Sequence, residues 1–321
     1  MSDKTKFLIT GSSGFIGKHF IQFLDNSTIN AEVIGVDIVP SSLTDTKSIV
    51  LHEEMCTMND SNAVQLLLQK HKPDYIVHFA SQSSVAKSWD DISTTFYNNV
   101  NSFITLAESV RQYCSDARML VIGSSEEYGN VAPDNIPIKE TCPLHPQNPY
   151  AIARVAQEML AKMYVQSFGL DIVMTRSFNH IGPGQSEAFA IPSFVKQIVT
   201  AKKSNTSCTL KTGNIDVVRD FIDVRDAVKA YYLLLYKGMV GEVYNICSGV
   251  GHSLRAIITM LSEITSVHVV IEHDQNKMRP TEVQTIIGSY QKINKLTGWS
   301  PTLNIHQSLE DIVKGQSPAL M

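Results

Sequence analysis

The sequence predicts an α/β fold, a doubly wound parallel sheet with a smaller, mixed domain built mainly from its second half. Three observations predict it. Short apolar runs alternate with longer amphipathic stretches through residues 1–178. The short runs are apolar throughout, as in strands covered by helices on both faces. The first strand-to-helix turn is rich in glycine.

Taken in order, "KFLIT" predicts a strand, "GKHFIQFLDN" a helix and "AEVIGVD" a strand. "SNAVQLLLQKH" predicts a helix and "PDYIVHFA" a strand. "NNVNSFITLAESVRQY" predicts a helix, "ARMLVIGSS" a strand, "YAIARVAQEMLAKMYVQSF" a helix and "DIVMTRSF" a strand. "NHIGPGQ" is expected to be a loop, because Gly and Pro break a ladder. "VYNICSG" reads as one more buried strand. Residues 1–178 and 220–247 are expected to form the sheet domain, and 179–219 and 248–321 the smaller one.

Composition narrows the function classes. A chain of 321 residues, 43% apolar and 18% charged, can bury a full core as one large or two intimate domains. The net charge of −4 supplies no attraction for nucleic acid or an anionic membrane. No apolar run reaches the roughly 18 residues of a membrane helix, and "MSDKTKFLIT" does not read as a signal peptide. Ten histidines include no HExxH and no close cluster, so no metal is expected. Five scattered cysteines without a CxxC suggest reduced thiols in a cytoplasm.

The glycine turn "TGSSGFIG" places Gly11, Gly14, Phe15, Ile16 and Gly17 between a strand and a helix. In that context a pyrophosphate can sit on backbone N–H groups at the helix N-terminus. Asp37 ends the next strand, where a carboxylate accepts ribose hydroxyls and repels a 2′-phosphate. The pair predicts a Rossmann-type domain that favours NAD(H) over NADP(H).

The spacing GxxGxxG, with "HFASQSSV", "IGSSEEYG", "PYAIAR" and "RSFNHIGPGQ", resembles the extended short-chain dehydrogenases of the nucleotide-sugar type over nearly the whole chain. "NHIGPGQ" together with "RPTEV" resembles the branch of GDP-mannose 4,6-dehydratases and GDP-4-keto-6-deoxymannose reductases, and the longer run "TRSFNHIGPGQ" is most like the reductases.

The resemblance implies a site. Tyr150 would move the proton, and Ser124 would hydrogen-bond the substrate oxygen. A free phenol ionises near pH 10, so such a Tyr needs a cation beside it. The family supplies a Lys four residues on; here Arg154 stands there. Always charged, planar and larger than an ammonium, Arg154 is expected to be an imperfect replacement that Lys would improve. Glu126 matches the dehydratases' C5 base, but reductases carry the same "SSEEYG", and a polar wall is an equal reading. Ala80 and Asn99, together with Tyr150 and Arg154, would belong to the cofactor side, since the family's Lys also holds the nicotinamide ribose. Gln82, Ser83, Ser125, Asn179, Lys196, Arg219, Arg279 and Glu282 would hold a GDP-sugar. Asp60 reads as a helix cap. Helices 97–113 and 150–168, with Leu106, Val110, Val155, Met159 and Met163, would pair across a homodimer. The implied reaction is hydride transfer to the 4-keto carbon of a GDP-4-keto-6-deoxyhexose. The alternatives are a GDP-sugar C4 dehydrogenase, dehydratase or epimerase that recycles NAD, and a binding protein impaired at Arg154.

Overall fold

A computed structural model describes residues 4–40, 46–275 and 283–316. Seven parallel strands form the main sheet: β1 (Thr5–Thr10), β2 (Ala31–Asp37), β3 (Val50–Met55), β4 (Tyr75–His78), β5 (Arg118–Ser124), β6 (Ile172–Ser177) and β10 (Val243–Ile246). Their spatial order is β10-β6-β5-β4-β1-β2-β3. The order reverses between β1 and β4, so a crevice opens there at the carboxyl ends of the strands. The edge strand β3 was not expected; only Leu51 and Glu54 of its six residues are even half-buried, so it lacks the apolar run that marks its neighbours.

Alternate residues of β1 serve the two faces. Phe7 and Ile9 pack with Phe20 of α1 (Phe15–Asp25) and with Tyr231 and Leu234 of α8 (Val224–Lys237). Leu8 packs on the other face with Leu68 of α2 (Ser61–His71), Phe103 and Leu106 of α5 (Ser102–Tyr113) and Tyr164 of α6 (Pro149–Phe168). Leu106 and Val110 are thus core residues, not part of an outward stripe. The helix expected from "NNV" begins further back. The short helices α3 (Val85–Asp90) and α4 (Ile92–Phe96) run into a π-turn, Tyr97–Asn101, before α5.

The second half carries smaller sheets. β9 (Val218–Asp223) pairs antiparallel with β11 (Gly251–Ser253) and parallel with β13 (Thr285–Ile286) and β7 (Asn179–Ile181). The start of "NHIGPGQ" is therefore a three-residue strand, since its first Gly comes only at 182. β8 (Cys208–Thr212) pairs parallel with β12 (Val269–His273). α7 (Ala190–Lys203), α9 (Leu254–Thr265) and α11 (Ile305–Gln316) enclose a second core with Val195, Leu210, Leu261 and Leu309. Ile293 of α10 (Gln291–Thr297) and Trp299 return to the main core, beside α8. Among the described residues no helix is long and apolar enough to cross a membrane.

Candidate active site

A large cleft, about 1360 Å³, lies between the carboxyl edge of the main sheet and the smaller sheets. Drug-sized pockets run to roughly 1,000 Å³, so this one has room for two ligands.

One wall is built from main chain. Gly11 has φ 71°, and a Cβ there would stand 2.8 Å from the Ala80 nitrogen. A Cβ on Gly17 would stand 2.2 Å from the Gly11 carbonyl, so α1 can start this close to β1 only with glycine. Gly14 caps α1 without a side-chain bond, and the first turn holds no acid. Its N–H groups are thus open to an anion. Asp37 lines the same wall; Oδ2 accepts the Ser13 N–H (2.9 Å) and Oδ1 the Ile38 N–H (2.7 Å). A carboxylate offers about four acceptor positions, so capacity remains for ribose hydroxyls. The neighbouring lining residues Ser13, Val36, Ile38, Val39, Thr57 and Met58 carry no cation. These residues fit a dinucleotide. Asp60, just outside, caps α2 by accepting the Ala63 N–H (3.0 Å).

The opposite wall is built from side chains. Ser124 ends β5, and its register partner on β6 is Ser177. Asn148 caps α6 by accepting the Ala151 N–H (2.8 Å), and Pro149 takes the first helical position, a helix start that places Tyr150 in the first turn. Ser124, Ser125, Glu126, Tyr150 and Arg154 all line the cleft. Glu126 Oε2 accepts the Asn148 amide (2.9 Å), so the carboxylate is tied to the helix that carries Tyr150.

Arg154 is 4% exposed. Its Nη1 donates to the Ile122 carbonyl (2.9 Å) and Gln157 Oε1 (2.8 Å), and its Nη2 to Ser81 Oγ (2.6 Å). Its guanidinium carbon lies 5.2 Å from the centre of the Tyr150 ring. The charge beside the phenol is therefore seated by three protein groups, and no compact ammonium can make all of those bonds. This arrangement runs against the expectation that Lys would improve the site.

Ala80, Gln82, Ser83, Asn179 and Arg219 also line the cleft. Asn179 donates to the Asp220 carbonyl (3.2 Å), and Arg219 donates to the Val218 carbonyl (3.0 Å). Two expected residues stand elsewhere. Asn99, in the π-turn, is fully buried behind the wall and clamps Gln82, accepting its N–H (2.7 Å) and donating to its carbonyl (3.1 Å). Lys196 of α7 is exposed and outside the lining itself, but is ion-paired with Glu187, which lines the cleft. Arg279 and Glu282 fall outside the described residues.

Sequence reasoning missed the supports. Asn148, Gln157, Ser81 and Glu127 touch Glu126, Arg154 or the Ser124 backbone, yet only Asn148 had a legible signal, a cap residue before Pro. It also missed His180, whose Nε2 lies 2.7 Å from the Tyr231 hydroxyl, itself 2.7 Å from Ser177 Oγ. Burial holds the His180 imidazole down to about 4, so this chain is uncharged at neutral pH.

A glycine-turn helix start facing a Ser–Tyr–Arg set across one cleft defines a short-chain dehydrogenase/reductase of the extended type. The chain belongs to the GDP-mannose 4,6 dehydratase family, whose model it matches over residues 8–312. It is 33% identical over 313 residues to the GDP-6-deoxy-D-mannose reductase of Pseudomonas aeruginosa, covering 96% of each chain. It is 29% identical over 293 residues to the GDP-6-deoxy-D-talose 4-dehydrogenase of Aggregatibacter actinomycetemcomitans, covering 91% of each. Its structure resembles that of RMD from Pseudomonas aeruginosa complexed with NADPH, with TM-score 0.86, 32% identity, and 98% and 99% of the two chains covered. It also resembles a UDP-glucose 4-epimerase with UDP-glucose from Thermotoga maritima, with TM-score 0.86, 26% identity, and 99% and 100% covered.

Proposed function

We propose that this enzyme reduces the 4-keto group of a GDP-4-keto-6-deoxyhexose. The observation that carries the reading is the Ser124–Tyr150–Arg154 set opposite the open start of α1, in one cleft large enough for cofactor and sugar nucleotide. The similarity to a GDP-6-deoxy-D-mannose reductase supports the substrate class.

A nicotinamide cofactor held along the glycine wall would supply the hydride. Phe15 and Ile16 would present main-chain N–H groups to the pyrophosphate at the turn that Gly14 shapes, and Asp37 would accept from the adenosine ribose. Ser124 donates a hydrogen bond to the carbonyl oxygen, and Tyr150 transfers its phenolic proton there as the alkoxide develops. Arg154, fixed against Ile122, Gln157 and Ser81, keeps a positive charge beside the phenol throughout. Gln82, Ser83, Ser125 and Asn179 line the sugar's surroundings, and Arg219, with Arg279 and Glu282, serves the nucleotide. We assign Glu126 to the sugar wall.

The Asp37 carboxylate, which would repel a 2′-phosphate, supports NADH over NADPH. We further propose a homodimer through helices 97–113 and 150–168, where Tyr97, Ile152, Met159 and Met163 are exposed on one chain, and a cytoplasmic setting suited to five free cysteines.

The test is NADH consumption on addition of GDP-4-keto-6-deoxymannose. One NADH oxidised per GDP-6-deoxyhexose formed is expected. Product formed without net NADH oxidation would sink the reductase reading in favour of internal redox.

A further inference from the structure

Directly behind the catalytic wall lies a buried acid that the reaction does not use. Glu127 is completely buried. Its Oε1 accepts the Ser124 N–H (2.7 Å), half of a capping box that closes the turn 125–128. Its Oε2 is buried and has no hydrogen-bond partner.

The nearest cation is already committed. Arg176, on β6, donates to Glu158 of α6 through Nε and Nη2 (both 2.8 Å), and through Nη1 to the Tyr128 hydroxyl (3.0 Å) and the Glu140 carbonyl (3.1 Å). Its Nε stands 3.7 Å from Glu127 Oε2, beyond hydrogen-bond reach. A fully buried carboxylate with one hydrogen bond is strongly disfavoured. A carboxylic acid is disfavoured far less, with Oε1 as its carbonyl and Oε2 as its hydroxyl.

The neighbouring backbone is shaped for this carboxyl. A Cβ at Gly123 would stand 2.5 Å from Glu127 Oε1 and 2.4 Å from the Thr175 carbonyl. The missing side chain at 123 is the space the carboxyl occupies.

We propose that Glu127 is a positioning residue: as a neutral acid it holds the Ser124 backbone and so sets the Ser124 hydroxyl in the cleft. The proposal rests on the reading of Ser124 as the donor to the carbonyl oxygen. Burial, then the Glu158 charge, pushes the Glu127 carboxyl up to about 8, while the Ser124 N–H, Arg176 and Arg154 pull it down. On alkalinisation the buried group ionises, its anion draws in water, and the turn that carries Ser124 and Glu126 loosens.

The test compares kcat from pH 6 to 10 in wild-type protein, Glu127→Leu, Glu127→Gln and Ser124→Ala. Leu fills the space but accepts nothing; kcat should fall about tenfold with KM little changed. Gln keeps the acceptor and has no proton to lose. It should restore most of kcat and move the alkaline fall near pH 8 upward. Wild-type kcat in Glu127→Leu with reduced kcat in Ser124→Ala would overturn the proposal and leave the reading of Ser124 standing. Full activity in Ser124→Ala would remove that reading, and the positioning role with it. Should Glu127→Leu not fold, Glu127→Gln still decides: an unchanged alkaline midpoint overturns the proposal.

Discussion

The two walls of the cleft meet their ligands by different means. The glycine wall offers main-chain N–H groups and one carboxylate, Asp37, and depends on what is missing at positions 11 and 17. The catalytic wall offers side chains, each held by another: Arg154 by Ile122, Gln157 and Ser81, Glu126 by Asn148, and Ser124 by Glu127. At positions 11 and 17 the first wall can be altered only by adding atoms. The second can be altered by removing a group that never touches a ligand. Substitutions on the glycine wall should therefore move dinucleotide affinity, and those on the catalytic wall should move kcat.

The sharpest way to break this division is Tyr150→Phe. Loss of the proton donor should lower kcat about a thousandfold, while calorimetric NADH affinity stays at the wild-type value. A large loss of affinity would mean the two walls are not separable. On the other wall, Gly17→Ala places a methyl 2.2 Å from the Gly11 carbonyl. It should weaken NADH binding more than tenfold by displacing the start of α1, and a wild-type dissociation constant would contradict the packing argument.

Arg154→Lys sharpens the comparison within the catalytic wall. An ammonium gives up some of the bonds to Ile122, Gln157 and Ser81, so kcat should drop about tenfold, equivalent to about 1.4 kcal/mol. A rise in kcat would show the guanidinium to be a handicap.

A further expected effect is on stability. Burial pushes the Glu127 carboxyl up to about 8 in the folded state, against the ordinary value of 4.5 in the unfolded chain. Below 4.5 both states hold the proton and there is no difference. Between 4.5 and 8 only the folded state holds it, so this group destabilises the fold increasingly as pH rises. The Tm of Glu127→Gln relative to wild type should therefore climb by some degrees from pH 5 to 8; a flat difference would place a charged Glu127 in the native state.

How much of this was legible follows the same division. The glycine wall could be read in full, because glycine spacing, a following helix and a strand-end acid are local signals at Gly11, Gly14, Gly17 and Asp37. The reactive side chains Ser124, Tyr150 and Arg154 could be read from their motifs. Their supports could not, because Ser81 and Gln157 meet Arg154 only when separate elements close on it, and Glu127 is one of two adjacent acids that the sequence does not distinguish. The edge strand β3 and the three-residue β7 were missed for a related reason: their partners, not their apolar content, make them strands.

The most direct test of the central claim follows the hydride. NADH carrying deuterium at the transferable C4 position is given to the enzyme with GDP-4-keto-6-deoxymannose, and the product is examined by mass spectrometry and NMR. The account predicts one deuterium per molecule, at sugar C4, with the hydroxyl proton drawn from solvent. Product without deuterium at C4 would contradict it.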